Sequence, residues 1–192
     1  FNGDGYSDLA IGAPGETVAG AVAAGEVDVV YGSASGLVAA TVQVFGQADP
    51  AIEGVADAGD RFGATLISGD FNGDGFGDLA VGAPDEGLEG DGIAAAGAVN
   101  ILYGAAHGLL AQNNLIVHLG MDAVTGTAVA HARFGAALLV RSDSLFGVPV
   151  VCFGHSCRLL AARSAGGGHG GNGIFGKTGT GRPSALMRRA VD

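Results

Sequence analysis

Residues 71–84 read FNGDGFGDLAVGAP, and residues 1–14 read FNGDGYSDLAIGAP. Eleven of these 14 positions are identical, at an offset of 70 residues. Further along, GAVNILYGAAHGL at 97–109 matches GEVDVVYGSASGL at 25–37, at an offset of 72 residues. A self-match at a fixed spacing indicates a repeat architecture in which each unit is one supersecondary structure. The chain therefore contains a repeat of 70 to 72 residues, and the two extra residues fall in the loop between the matched segments.

Each repeat carries short apolar segments separated by clusters of Gly, Asp and Asn. In the second repeat these candidate strands are 62–68, 78–82, 97–103 and 115–119. Four short strands with turn residues between them are typical of a propeller blade. No segment shows a helical period over a helix-like length, so the pattern predicts an all-β fold.

Composition excludes several classes of protein. A hydrophobic content of 48% is too high for an acidic disordered chain, and no apolar run is long enough to span a membrane as a helix. Charge is unevenly distributed, because residues 1–132 carry a net −16 and residues 133–192 a net +6. We expect no nucleic-acid partner and no membrane span.

The strongest chemical signal is the loop 70–78, DFNGDGFGD. Its candidate metal ligands occupy alternate positions: Asp70, Asn72, Asp74, the backbone carbonyl of Phe76, and Asp78. Ca²⁺ prefers six to eight oxygen ligands at flexible geometry, and this loop nearly supplies them. An EF-hand is excluded, because Val81 stands at loop position 12 instead of Glu. The alternative is an ion-free turn, but clustered carboxylates without a neighbouring base repel one another.

The first repeat carries a shorter copy of this loop. Its candidate ligands are Asn2, Asp4, the carbonyl of Tyr6, and Asp8, and its first position would precede Phe1. We expect this site to be incomplete. The chain shows no signal-peptide pattern. Because it begins inside a motif, we interpret it as a fragment of a longer protein.

The motifs occur together in the second repeat as Phe62-Gly63, the loop 70–78 and Gly82-Ala83-Pro84. This combination resembles the FG-GAP repeat of integrin alpha-chain β-propellers and of related bacterial extracellular proteins. The resemblance covers about 1–140. It implies a partial β-propeller of about two to three four-stranded blades, structural Ca²⁺ in the hairpin loops, and an extracellular or cell-surface location. It also implies ligand recognition on the opposite face, by loops 14–24, 46–60, 85–96 and 120–132.

The repeats divide the chain into four parts. We expect a blade without its first strand at 1–60, a complete blade at 61–132, a degenerate third blade at 133–163, and a Gly-rich, basic, disordered tail at 164–192. In the third blade the cation loop is lost, because the ligand positions become Ser142, Ser144, Phe146 and Val150.

Two further motifs in this region do not predict a site. Residues 171–178 match the phosphate-loop pattern but lie in a Gly-rich tract without a flanking strand and helix, so we expect no nucleotide site. For Cys152 and Cys157, free thiols and a short-range disulfide are both open, and with His155 they fall short of a four-ligand zinc site.

These observations favour a binding module over an enzyme. The five histidines lie apart in the sequence and no nucleophilic triad is assembled. We expect an adhesion or interaction module for an unknown protein or glycan, with further blades of the same full-length chain as partners. The alternatives are the non-catalytic propeller portion of a larger secreted hydrolase and a truncated product without a function of its own.

Overall fold

The computed structural model describes residues 1–88, 92–121, 124, 126–142, 149–153 and 156–159. This part of the chain consists of three antiparallel β-sheets and contains no helix. It accordingly holds no helix that is long and apolar enough to cross a membrane. The predicted all-β fold, a partial propeller, is confirmed.

Consecutive strands pair within each sheet, so each sheet is an antiparallel meander. The first sheet contains β1 (Leu9–Ala13), β2 (Glu26–Val30) and β3 (Val42–Phe45). The second sheet contains β4 (Thr65–Gly69), β5 (Asp78–Ala83), β6 (Ala98–Tyr103) and β7 (Leu110–His118). The third sheet contains β8 (Leu138–Ser142), β9 (Pro149–Phe153) and β10 (Ser156–Leu159). The first sheet corresponds by sequence to β5, β6 and β7.

Two strand boundaries differ from the sequence prediction. Strand β4 begins at Thr65 and not at Phe62, because Phe62 and Gly63 form a turn that contacts the first sheet. Strand β7 begins five residues earlier than predicted, at Leu110, and its register with β6 shifts between Ile101 and Tyr103. The alternation of polar residues in β7 concealed this extension.

The third sheet lies in the segment predicted to be a degenerate blade, with Cys152 directly opposite Cys157 in the register of β9 and β10. The predicted segment boundaries stay predictions. The predicted tail at 164–192, together with the phosphate-loop match at 171–178, lies outside the described residues.

Two hydrophobic cores separate the sheets. The first core joins Val27, Val29 and Phe45 of the first sheet to Leu79, Val81 and Leu102 of the second. The second core joins Ala80, Val99, Ile101 and Val117 of the second sheet to Phe134, with Leu138 of β8 packed against it. Neighbouring positions of β5 therefore face different cores, as the alternation of side chains along a strand requires. All six residues of β5 are buried.

The Phe-Gly and Gly-Ala-Pro segments contact one another. The amides of Gly63 and Ala64 each donate to the carbonyl of Gly82 at 3.1 Å. A Cβ on Gly12 would lie 2.1 Å from the carbonyl oxygen of Gly63, and one on Gly82 would lie 2.4 Å from that of Gly135. Only glycine permits such close backbone contact, so each Gly-Ala-Pro glycine fixes the approach of the following repeat.

Candidate functional site

The loop 70–78 connects β4 to β5 and wraps around the carboxylate of Asp70. Its Oδ1 accepts the amides of Gly73 at 2.7 Å and Asp74 at 3.1 Å, and its Oδ2 accepts the amide of Gly75 at 3.0 Å. Gly73 and Gly75 both have positive φ, +77° and +90°, which the tight turn requires. The loop backbone thus closes around an acidic side chain.

Asn72 and Asp74 extend this network along the turn. The Oδ1 of Asn72 accepts the amide of Asp74 at 3.0 Å, and the Oδ1 of Asp74 accepts the amide of Phe76 at 2.8 Å. The side-chain amide of Asn72 donates to Asp74 Oδ2 at 2.8 Å. These contacts hold the polar groups of Asn72 and Asp74 together on an exposed turn, next to the Asp70 carboxylate.

No basic side chain neutralises the loop in the described part of the chain. Arg61 and Arg133 both pair instead with Asp85, with N–O distances of 3.2 Å and 2.9 Å. The oxygen-only donor set of the loop suits a hard cation such as Ca²⁺ and not a thiophilic metal.

The structure gives Asp78 different partners from the other predicted ligands. Its side chain is fully buried, and its two oxygens accept the amides of Phe71 at 2.7 Å and Gly104 at 2.9 Å. Burial raises the pKa of Asp78 to about 6, while the amide bonds from Gly104 and Phe71 oppose that shift. One carboxylate therefore ties the start of β5 to the cation loop and to the residue that follows β6.

The first repeat reproduces these contacts. Asn2 Oδ1 accepts the amide of Asp4 at 3.2 Å, and Asp4 Oδ1 accepts the amide of Tyr6 at 2.9 Å. Asp8 occupies the place of Asp78, because it accepts the amino group of Phe1 at 2.5 Å and the amide of Gly32 at 2.9 Å.

The structure brings the predicted ligands together in two groups. Asp70, Asn72 and Asp74 share one hydrogen-bonded turn that leads to Phe76, whereas Asp78 is bonded into the sheet. Within the described ranges, no three His, Cys, Asp or Glu side chains converge as a metal-binding cluster. The Ca²⁺ assignment of all nine predicted residues, in both loops, stays a prediction.

Sequence reasoning did not anticipate that a predicted recognition loop packs on the second sheet. Asn100 of β6 donates to the carbonyl of Glu53, and Asn114 of β7 donates to the carbonyl of Ala51, both at 2.7 Å. Ile52 between them is only 3% exposed. The central part of loop 46–60 therefore connects the first two sheets. The available signal was an asparagine in each of two otherwise apolar strands.

Comparison with known proteins supports the repeat assignment. Residues 1–30 and 62–102 match the family model of the FG-GAP repeat. The chain carries FG-GAP repeats. The first match spans β1 and β2, and the second runs from the Phe62 turn through β4 and β5 into β6. Both FG-GAP matches include the cation loops described above.

The FG-GAP region is similar to parts of larger proteins. It is 39% identical over 113 residues to phosphatidylinositol-glycan-specific phospholipase D of Bos taurus, covering 59% of this chain and 13% of the relative. The human phospholipase D is 40% identical over 108 residues, covering 56% and 12%. Integrin alpha-PS2 of Drosophila melanogaster is 40% identical over 121 residues, covering 60% and 8%. The matched region thus spans about an eighth or less of these relatives.

Proposed function

We propose that this chain is a Ca²⁺-stabilised segment of an extracellular FG-GAP propeller that serves as an interaction module for a protein or glycan. The observation that carries the proposal is the turn in loop 70–78. It holds the Asp70 and Asp74 carboxylates and the Asn72 amide together without a basic counter-charge among the described residues. A bound cation would relieve the repulsion between these carboxylates.

In this proposal the ion has a structural role. Asp70, Asn72, Asp74 and the carbonyl of Phe76 would hold Ca²⁺, which would supply positive charge and a fixed geometry to the β4–β5 connection. Asp78 contributes by fixing both ends of the loop to the sheet. The loops on the opposite side of the blades are left for ligand contact. Similarity to an integrin alpha chain supports the adhesive and extracellular part of the proposal.

Isothermal titration calorimetry on the full 192-residue chain tests the ion. We expect Ca²⁺ binding that is reduced by one site in Asp74→Ala. The matched control is Asp57→Ala, which removes one exposed carboxylate elsewhere and keeps the same change in charge. Equal binding heats in the parent chain and Asp74→Ala would contradict the assignment.

A pull-down separates the interaction role from ion binding. The Ca²⁺-loaded chain, immobilised, is offered extracellular-matrix proteins and a glycan array, and we expect at least one saturable ligand. A folded, Ca²⁺-loaded chain that retains none of them would contradict the role in interaction and leave the ion assignment standing.

The phospholipase D relatives favour a second candidate, the propeller portion of a larger secreted hydrolase. Four relatives with this name match the FG-GAP region and only a small share of their own length. On this reading, the coding sequence that flanks this chain encodes a hydrolase domain in the same reading frame. Flanking sequence that encodes only further FG-GAP blades would reject this candidate.

A further inference from the structure

The first sheet has one buried face and one exposed face. Val27, Val29 and Phe45 point into the core shared with the second sheet. The opposite face, here named the outer face, presents four aliphatic side chains to solvent. They are Leu9, Ile11, Val42 and Val44, which are 42%, 44%, 41% and 55% exposed. Contiguous exposed apolar side chains of this kind indicate an interaction surface.

The second repeat shows what covers the same face when a neighbour is present. At an offset of 70, Leu9 corresponds to Leu79 and Ile11 to Val81. These two counterparts are 1% and 0% exposed in the core between the first and second sheets. The outer face is therefore one half of an interface that the chain already forms internally. Strand β1 is also an edge strand, with a free side for backbone pairing.

The other half of that interface is exposed at the opposite end of the described chain. In β8, Leu138 packs against the core shared with the second sheet, whereas the adjacent Leu139 is 56% exposed. At an offset of 72, Leu139 corresponds to Ile67, which packs against that second core in the preceding repeat. Leu139 thus marks the face of the third sheet on which a following sheet would pack.

The two ends also differ in charge. Glu26 and Asp28 of β2 alternate with the buried Val27 and Val29 and so belong to the outer face. Partial burial, followed by the charges of Asp28 and Glu16, raises the pKa of Glu26, so this end favours a cationic neighbour. The segment 133–192 carries a net +6, and 1–132 a net −16. Opposite charge at the two ends favours association of unlike ends over like ends.

From these observations we propose that the outer face of the first sheet is the docking site for the third-sheet end of a second copy of this chain. The interface is heterologous, so copies associate head to tail and form either a closed ring or an open array. This inference goes beyond the proposed function and does not depend on bound Ca²⁺.

Sedimentation velocity on the full chain over a range of concentrations tests the proposal. We expect the parent chain to self-associate, and Ile11→Asp and Leu139→Asp each to remain monomeric, because each loses one of the two unlike surfaces. The matched control is Val22→Asp, which places the same charge at a position 65% exposed in the β1–β2 loop. It should associate like the parent.

Mixing the two variants gives the decisive result. Leu139→Asp keeps an intact outer face and Ile11→Asp keeps an intact third-sheet end, so an equimolar mixture should form a heterodimer and nothing larger. A parent chain that is monomeric at all concentrations would overturn the proposal, and so would a mixture that stays monomeric. Both sites are exposed, so cooperative thermal melting is expected of each variant. Val44→Lys and Leu139→Ser repeat the test if either fails to melt cooperatively.

Discussion

The first and second sheets carry nearly the same motif in different surroundings. Their cation loops form the same side-chain bonds, with Asp8 and Asp78 each accepting two backbone amino or amide groups. Yet β5 is buried throughout, whereas Leu9 and Ile11 of β1 are exposed. Local sequence sets the turn and the strand pairing, while position along the array sets burial. The substitutions that separate the two repeats show where this difference has energetic consequences.

The largest expected effect comes from giving the second sheet the residue of the first. Asn100 is fully buried and donates to the carbonyl of Glu53 at 2.7 Å, and its counterpart is the half-buried Asp28. In Asn100→Asp a buried carboxylate would face that carbonyl without a donor. We expect a loss of about 4 kcal/mol in the free energy of unfolding, measured by urea denaturation.

The reciprocal change is the control. Asp28→Asn should alter the free energy of unfolding by less than about 0.5 kcal/mol, as is usual away from buried networks. Equal losses from the two substitutions would contradict the view that position along the array sets the cost.

The second prediction concerns the buried carboxylates that fasten each loop. Asp78→Ala leaves the amides of Phe71 and Gly104 without their partner, and we expect a loss of about 3 kcal/mol. Asp8→Ala should cost less, about 2 kcal/mol, because the first sheet is more open to water. Chemical denaturation in EDTA measures both without a contribution from Ca²⁺. A loss from Asp78→Ala no larger than that from the exposed Asp74→Ala would count against the fastening role.

The third prediction makes the second loop resemble the first, in which the position of Asp70 has no equivalent. Asp70→Asn should weaken Ca²⁺ binding at the second loop about tenfold, or about 1.4 kcal/mol. The expected cause is the loss of a charged oxygen donor, and calorimetry measures it. An unchanged affinity would show that the two loops bind Ca²⁺ without the first ligand position.

The smallest expected effect is at Asp85, whose counterpart in the first repeat is Gly15. Asp85 pairs with Arg61 and Arg133, but those arginine side chains are 44% and 48% exposed. Solvent screening limits such pairs, so Asp85→Ala should lower the free energy of unfolding by less than about 1 kcal/mol. Thermal denaturation at low and high salt checks it, and a loss above about 2 kcal/mol would show a tightly coupled network.

The sequence was sufficient for the repeat, the all-β fold and the turn at Asp70, Asn72 and Asp74, because these depend on local spacing and turn chemistry. It was not sufficient for the side-chain partners of Asp78, since a carboxylate at a strand start is compatible with an ion or with backbone amides. The packing of residues 51–53 on Asn100 and Asn114 joins residues more than 45 positions apart. Periodicity within a strand carries no information on such a contact.

The buried carboxylates at Asp8 and Asp78 bear on how the repeat tolerates change in length. Because Asp78 joins Phe71 to Gly104, a residue inserted between Phe71 and Asp78 would separate groups that one side chain must reach. The two repeats accordingly have hairpin loops of equal length, and their two-residue difference falls between Gly82-Ala83-Pro84 and the segment that begins at Gly97. Drift in length is thus restricted at one end of the blades and permitted at the other, where new specificities can arise without disturbing the strands.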